Sequence, residues 1–328
     1  MSPEPRWILG VDIGGTSCSV GAVPMEGGEP TALRSRSTRS ERGAGAVIGM
    51  LADMVEETLS ELEEETGDGR ESVAGMGIGS PGPLDRERGV VVETPNLGWR
   101  DLPLRDLMTE ATGFRATLDN DANCATFGEW WIGAGRDAST VVGITLGTGI
   151  GGGIVLNGEI HHGASDVGGE IGHMTVRYDG RRCKCGNRGC LEAYASGPNI
   201  AARAVEGLES HPDSLLAGED PSEITAARVY DAILEGDRYA QEVMTETARI
   251  LGAGVANVLN VLNPDVVVIA GGVTRAGRYL FVPLREEVAR RAFTSAVSHC
   301  KIMPARLPET AGVIGAAGVF KQVTYGSA

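Results

Sequence analysis

A chain of 328 residues, 42% hydrophobic and 22% charged, has an ordinary globular composition and is long enough for two medium domains with a sizeable core. The formal net charge of −15 argues against nucleic acid and anionic membranes as main partners, so a phosphate-bearing ligand must be held by local backbone amides and a metal ion. No stretch approaches ~18 uninterrupted apolar residues and no basic-then-apolar leader opens the chain, which excludes a membrane-spanning helix and predicts a cytoplasmic location.

In chain order, Trp7 to Val11 is a short apolar run of buried-strand type. It ends in Asp12-Ile13-Gly14-Gly15-Thr16, and Ser17 to Val23 reads as a returning strand. The pattern is a β-hairpin, not the strand-to-helix turn of a dinucleotide fold. Its adjacent glycines, Gly14 and Gly15, let backbone N–H groups approach a phosphate; Thr16 adds a hydroxyl donor, and Asp12 can hold a hydrated Mg²⁺. A long amphipathic helix with an acidic end is predicted over 42–65. A strand over 73–79 leads into the loop Ser80-Pro81-Gly82-Pro83-Leu84-Asp85, rigid through its prolines and open at Gly82. A strand over 90–92 precedes the loop Thr94-Pro95-Asn96-Leu97-Gly98-Trp99, and a short helix is predicted over 101–112, ended by Gly113.

Leu118-Asp119-Asn120-Asp121-Ala122-Asn123 is the stretch on which the others converge. It packs two carboxylates and two amides between a strand-like tail (114–118) and a helical pattern (125–131), where an open α/β sheet presents its ligand edge. Thr140 to Thr145 is the next strand. It feeds Leu146-Gly147-Thr148-Gly149-Ile150-Gly151-Gly152-Gly153, with 154–156 as the return strand. This repeats the first hairpin, so two similar domains are expected to face each other across a phosphate, the nearest backbone donors being at Gly147, Thr148 and Gly149. Neither hairpin is a P-loop, because no Gly-Lys-Ser/Thr follows.

Asp166 to His173 reads as a loop carrying Glu170 and His173, followed by Cys183-Lys184-Cys185-Gly186-Asn187-Arg188-Gly189-Cys190-Leu191-Glu192. Three cysteines this close, with one histidine upstream, give a closed Cys₃His zinc set. The spacing departs from paired Cys-x-x-Cys and by itself leaves a redox centre open. Helical patterns cover 196–209, 222–234 and 238–262, the last apolar nearly all round and stopped by Asn263-Pro264-Asp265. A buried strand over 266–270 ends in Gly271-Gly272, a turn that can admit an adenine or ribose, and 311–319 is a small-residue helix. Cys18, Cys124 and Cys300 read as core thiols.

Taken together, Asp12-Ile-Gly-Gly-Thr, Asn120-Asp121-Ala-Asn, Leu146-Gly-Thr-Gly-Ile-Gly-Gly-Gly, Gly169-Glu-Ile-Gly-His173 and the Cys183 to Glu192 motif resemble the ROK family (repressor, open reading frame, kinase) of sugar kinases in the actin-like ATPase superfamily. The likeness runs from about residue 7 to about residue 320. It implies an α/β fold of two actin-like, ribonuclease H-like domains around a ligand cleft that closes: 1–118, onto which a helix at about 310–328 packs back, and a larger 119–309 with the zinc loop. It implies ATP-dependent phosphorylation of glucose at its 6-hydroxyl, with Mg²⁺ and structural Zn²⁺. Asp121 is then the general base. Gly82, Asn96, Asn120, Asp121, Glu170, His173 and Glu192 face the sugar; Asp12, Gly14, Gly15, Thr16, Gly147, Thr148, Gly149, Gly271 and Gly272 face the nucleotide. His173, Cys183, Cys185 and Cys190 bind zinc. Another hexose or N-acetylhexosamine, or a regulator that binds sugar without turnover, are the alternatives. The family's repressors carry an N-terminal DNA-binding segment, for which a first motif at residue 12 leaves no room. Many members have lysine where this chain has Ser17, which puts a lysine contact to phosphate there in question. A homodimer or higher homo-oligomer is what the family suggests.

The residues themselves agree with that chemistry. A sugar hydroxyl needs a carboxylate within hydrogen-bond reach to accept its proton as the bond to phosphorus forms. Asp119 and Asp121 point the same way in an extended segment, so spacing does not choose between them. Asp121 is favoured because Asn120 and Asn123 flank it and because of the resemblance. A helix N-cap is the competing explanation for an Asp or Asn at this place.

Overall fold

The computed structural model describes residues 4–94 and 96–326. Pro95, within the second expected sugar loop, lies outside the described residues. The strands are β1 (Trp7–Ile13), β2 (Ser17–Pro24), β3 (Thr31–Ser37), β4 (Val73–Ser80), β5 (Leu84–Asp85), β6 (Val90–Thr94), β7 (Trp99–Leu102), β8 (Ala116–Asn120), β9 (Thr140–Leu146), β10 (Ile150–Leu156), β11 (Glu159–Ile160), β12 (Val266–Ala270) and β13 (Lys301–Pro304). The helices are α1 (Ala44–Thr66), α2 (Leu104–Thr112), α3 (Asp121–Trp131), α4 (Glu192–Ala195), α5 (Gly197–Glu206), α6 (Ala226–Leu234), α7 (Arg238–Leu262), α8 (Arg278–Arg291), α9 (Thr294–His299) and α10 (Ala311–Tyr325). Among the described residues no helix is long and apolar enough to cross a membrane.

One sheet runs β3-β2-β1-β4-β8 and another β11-β10-β9-β12-β13. In each, a hairpin supplies two neighbours, and later strands join parallel to the hairpin's first strand: β4 to β1 and β8 to β4 in one, β12 to β9 and β13 to β12 in the other. This duplication is what two glycine hairpins in one chain predict. By contacts the chain divides into two compact units: Met1–Ala138 with Gly153–Gly169 and Arg306–Ala328, and Ser139–Gly152 with Glu170–Ala305.

In the first unit, strand alternation sorts β1 onto two faces. Leu9, Val11 and Ile13 join the core under α1 and α2, with Leu51, Met54, Leu104 and Met108. Ile8 packs on the opposite face with Val313, Ile314, Ala317 and Phe320 of α10. On that second face glycines let helix and strand backbones meet. A β-carbon at Gly10 would overlap the Val313 carbonyl, one at Gly77 the Ala316 carbonyl, and one at Gly315 the Cys124 carbonyl of α3. Asp12 shares this face, two residues past Gly10.

Several expected boundaries move. The first long helix begins at Ala44, after a 3₁₀ turn over Ser40–Arg42, instead of at 42. The helix expected over 101–112 begins at Leu104, because Arg100 and Leu102 pair with Glu93 and Val91 in a small β5-β6-β7 sheet. The second glycine turn is only three residues long: Gly151, Gly152 and Gly153 are already strand. A β-carbon at Gly153 would crowd Thr126 Oγ1 and the Ala122 carbonyl, so that glycine serves packing against α3.

Candidate active site

In the first unit, the β1–β2 turn is closed by a hydrogen bond from the Gly14 N–H to the Ser17 carbonyl (2.9 Å), and Thr38 steadies it by donating Oγ1–H to the Gly14 carbonyl (2.8 Å) and its N–H to the Thr16 carbonyl (2.9 Å). Gly15 is exposed, and a β-carbon there would stand 3.8 Å from Asn96 Cβ. The hairpin turn and the Asn96 loop therefore meet. Asp12 ends its strand beside glycines: a β-carbon at Gly79 would stand 3.6 Å from Asp12 Oδ1, and one at Gly312 would overlap Oδ2. Burial, and after it the negative charge of Asp121, push the Asp12 carboxyl up to about 7. A half-buried carboxylate with an acidic neighbour is a donor set that suits a divalent cation, which would reverse that shift.

This shift predicts a stability effect. The unfolded Asp12 titrates near 3.8 and the folded one near 7. Between these values the folded state binds more protons, so stability falls as pH rises through the window, and the full cost, at most about 4 kcal/mol, stands above it. Metal-free Asp12→Asn is therefore expected to melt higher than metal-free wild type at pH 8 and alongside it near pH 4. Equal melting at pH 8 would remove the claim.

The Asp119 to Asn123 turn gives the two aspartates different surroundings. Asn120 is the N-cap of α3; its side-chain oxygen accepts from the Ala122 and Asn123 N–H groups (2.9 and 3.2 Å). The cap is thus Asn120, and Asp121 is the first residue of the helix, with Oδ1 accepting from the Ala122 N–H at 2.8 Å. Asp119 is 1% exposed. Its Oδ1 accepts from the Asn120 N–H (2.8 Å) and Asn123 Nδ2 (3.1 Å), and its Oδ2 from Arg86 Nε (3.0 Å) and His162 Nε2 (2.8 Å). Burial alone would raise its carboxyl, but the hydrogen bond and charge of His162 and the charge of Arg86 outweigh burial and hold it below its usual range. A carboxylate filled by four donors and held ionised is a poor proton acceptor. Asp121 lies in the same unit as Gly82, whose β-carbon would stand 3.7 Å from Asn120 Nδ2.

In the second unit, the β9–β10 turn is closed by the Gly147 N–H donating to the Gly149 carbonyl (3.0 Å), while the Gly147 carbonyl accepts from the Gly197 N–H at the start of α5 (2.9 Å). Gly147, Thr148 and Gly272 line a cavity of about 710 Å³ whose other walls include Pro198, Ala201, Tyr230, Met244 and Arg275. A phosphate-sized turn at one end and apolar walls beyond suit a nucleotide. Of the glycine pair after β12, Gly272 faces this cavity; Gly271, at φ +93°, packs on the Leu146 carbonyl, where a β-carbon would overlap. A larger cavity of about 870 Å³, lined by residues such as Arg86, Arg115, Leu118 and Val319, touches no site residue expected from the sequence.

Ligand atoms of His173, Cys183, Cys185 and Cys190 all lie within 4.8 Å of one another. His173 presents Nδ1 to Cys183 Sγ (3.8 Å), while Nε2 stands 3.9 Å from Glu170 Oε2. The ring thus turns one nitrogen to the thiols and the other to the Glu170 carboxylate. Burial pushes the Cys183 thiol up to about 12; a backbone hydrogen bond from Asn187 lowers that of Cys185. Three thiols and an imidazole at this separation fit a closed tetrahedral zinc. Glu192 is found in a different place from a purely sugar-facing side chain: its Oε2 accepts from the Ile150 N–H (3.0 Å), and a β-carbon at Gly149 would stand 2.6 Å from it. It braces the glycine turn beside the thiols.

The walls of the cavity beside Thr148 contributed by α5, α6 and α7 carry no motif; in sequence they read only as helical periodicity. Arg86, His162 and Asp166 were equally silent.

Two sheets of the same hairpin-first topology, each with a glycine turn at its ligand edge, define a protein of the actin-like ATPase fold. The chain belongs to the ROK family, whose model matches residues 8–323. It is 41% identical over 319 residues to a glucokinase of Thermotoga maritima, covering 96% of this chain and 97% of that one. It is 32% identical over 273 residues to a xylose repressor of Caldicellulosiruptor bescii, covering 82% of this chain and 67% of the repressor. Among solved structures it resembles a ROK family glucokinase of Streptomyces griseus in complex with glucose and AMPPNP, at a TM-score of 0.80 and 32% identity over 95% of this chain and 98% of that one.

Proposed function

We propose that this protein is an ATP-dependent glucokinase that transfers a phosphoryl group to the 6-hydroxyl of glucose. The observation that carries the reading is the near-full-length likeness to glucokinases, one of them solved with glucose and AMPPNP. The site chemistry supports it. Asp121 accepts the proton of the 6-hydroxyl; Asn96, Asn120, Glu170, His173 and Glu192 orient the sugar, with the Gly82 loop giving room. The backbone N–H groups at Gly15, Thr16, Thr148 and Gly149 receive the phosphates, the Gly14 and Gly147 N–H groups closing the two turns, and Gly272 borders the base and ribose. Asp12 would hold hydrated Mg²⁺, which offsets phosphate charge when bound. His173, Cys183, Cys185 and Cys190 would hold Zn²⁺, and a closed ligand set leaves that ion a structural task.

The bodies that close on the sugar are proposed to be 1–118 with the terminal helix, and 119–309. Saturating glucose is expected to compact the protein in small-angle scattering; an unchanged profile would count against closure. A cytoplasmic homodimer or higher homo-oligomer is the proposed state. Steady-state rates over glucose, mannose, fructose, allose and N-acetylglucosamine test the substrate, with kcat/KM expected highest for glucose. A higher value for an N-acetylated sugar would move the reading to that class.

A further inference from the structure

Strand β8, which delivers the Asp119 to Asn123 turn, is the edge strand of its sheet. Among the described residues its main chain has a ladder partner on one side only, where Asp119 and Asn120 stand opposite Gly79 and Ser80 of β4. On that one-sided support the turn must hold the Asp121 carboxylate where a small misplacement costs rate. Beyond the packing of α3 on α10 and on Gly153, further fastening comes from side chains. Asp119 Oδ1 takes both of its donors, the Asn120 N–H and Asn123 Nδ2, from inside the turn and so shapes it. Asp119 Oδ2 takes both of its donors, His162 Nε2 and Arg86 Nε, from other segments and so anchors it.

We propose that His162, with Arg86, is a positioning residue for phosphoryl transfer, fixing the turn that bears Asp121 through the buried Asp119 carboxylate. This rests on the glucokinase reading above. The two anchors are themselves tied down. Arg86 donates from Nη1 and from its main-chain N–H to Asp166 (3.2 and 3.3 Å), and the His162 carbonyl accepts from the Gly168 N–H (2.8 Å). Both Asp166 and Gly168 belong to the loop that runs on into Glu170, and Arg86 follows directly on the Gly82 loop. One buried carboxylate thereby joins the stretch after Gly82, the stretch with Asn120 and Asp121, and the 162–168 loop. His162 touches no reacting atom and acts only through Asp119.

The test compares His162→Ala with His162→Gln, whose amide nitrogen can donate from about the place of Nε2. With glucose, ATP and Mg²⁺, His162→Ala is expected to lose ~10-fold or more in kcat with KM for ATP nearly unchanged, as a displaced base predicts. His162→Gln is expected to recover to within ~3-fold of wild type. A merely structural role would lower melting temperature and leave the kcat of the folded fraction alone, and would not distinguish Gln from Ala. Near-wild-type kcat in His162→Ala, or equal loss in both variants, would overturn the proposal. Should the alanine variant not fold, ¹⁵N-histidine NMR of the wild type decides: a protected Nε2–H on His162 is expected, and a ring protonated only at Nδ1 would overturn it. A wild type that phosphorylates no sugar would end the glucokinase reading; a wild type that does, with kcat kept in His162→Ala, would end this inference alone.

Discussion

Asp121→Asn is expected to bind glucose and melt like wild type while turning over roughly 10²–10⁴-fold more slowly, the usual worth of a positioned acid or base. The amide keeps the size of the side chain and can still hold the 6-hydroxyl, so only the proton acceptor is lost. The geometry sharpens this expectation. Capping of α3 belongs to Asn120, whose side-chain oxygen receives the Ala122 and Asn123 N–H groups, so replacing Asp121 leaves the cap intact. Asp119 is a poor substitute, because four donors fill its two oxygens and hold its carboxyl below the usual range. Kinetics, calorimetric glucose titration and thermal melting on the one variant check all three parts. Near-normal turnover would return the base to Asp119; loss of melting temperature together with activity would make Asp121 a structural residue.

The second large effect concerns the thiol cluster. Purified protein is expected to hold about one zinc per chain by elemental analysis, and Cys185→Ser to lose it. Metal binding to such a set is folding free energy, so the variant should be destabilised by several kcal/mol, a fall of roughly 10 °C or more in Tm at about 2–4 °C per kcal/mol. Glucose affinity should fall with it, because His173 stands between the thiols and Glu170, and Glu192 follows Cys190 by two residues while gripping the Ile150 N–H. Wild type free of zinc after metal-controlled purification would end the idea, as would a Cys185→Ser variant with unchanged Tm and KM.

What the sequence disclosed follows a physical rule. Glycine turns between apolar runs, Gly14-Gly15 and Gly147-Thr148-Gly149, are local: main-chain sterics fix them within a few residues, and both hairpins formed where expected. The cysteine cluster is local too, and its four ligand atoms do lie together. The short strands β3, β5, β7, β11 and β13 left little mark, since two to seven residues of mixed polarity carry no clear period. The Asp119 anchors come from 33 and 43 residues away, and no spacing rule reaches that far. The cavity beside Thr148 is likewise assembled from helices whose inward residues look like ordinary core. Asp119 and Asp121 were inseparable in sequence because an extended segment repeats every two residues; only burial and partners tell them apart.

The most direct test of the central claim is product analysis. Purified protein with glucose, ATP and Mg²⁺, followed by ³¹P NMR, is expected to yield glucose 6-phosphate in step with ADP, one for one, and no phosphate ester when glucose is left out. Saturable glucose binding without any sugar phosphate, or ADP released only with free phosphate, would contradict the assignment.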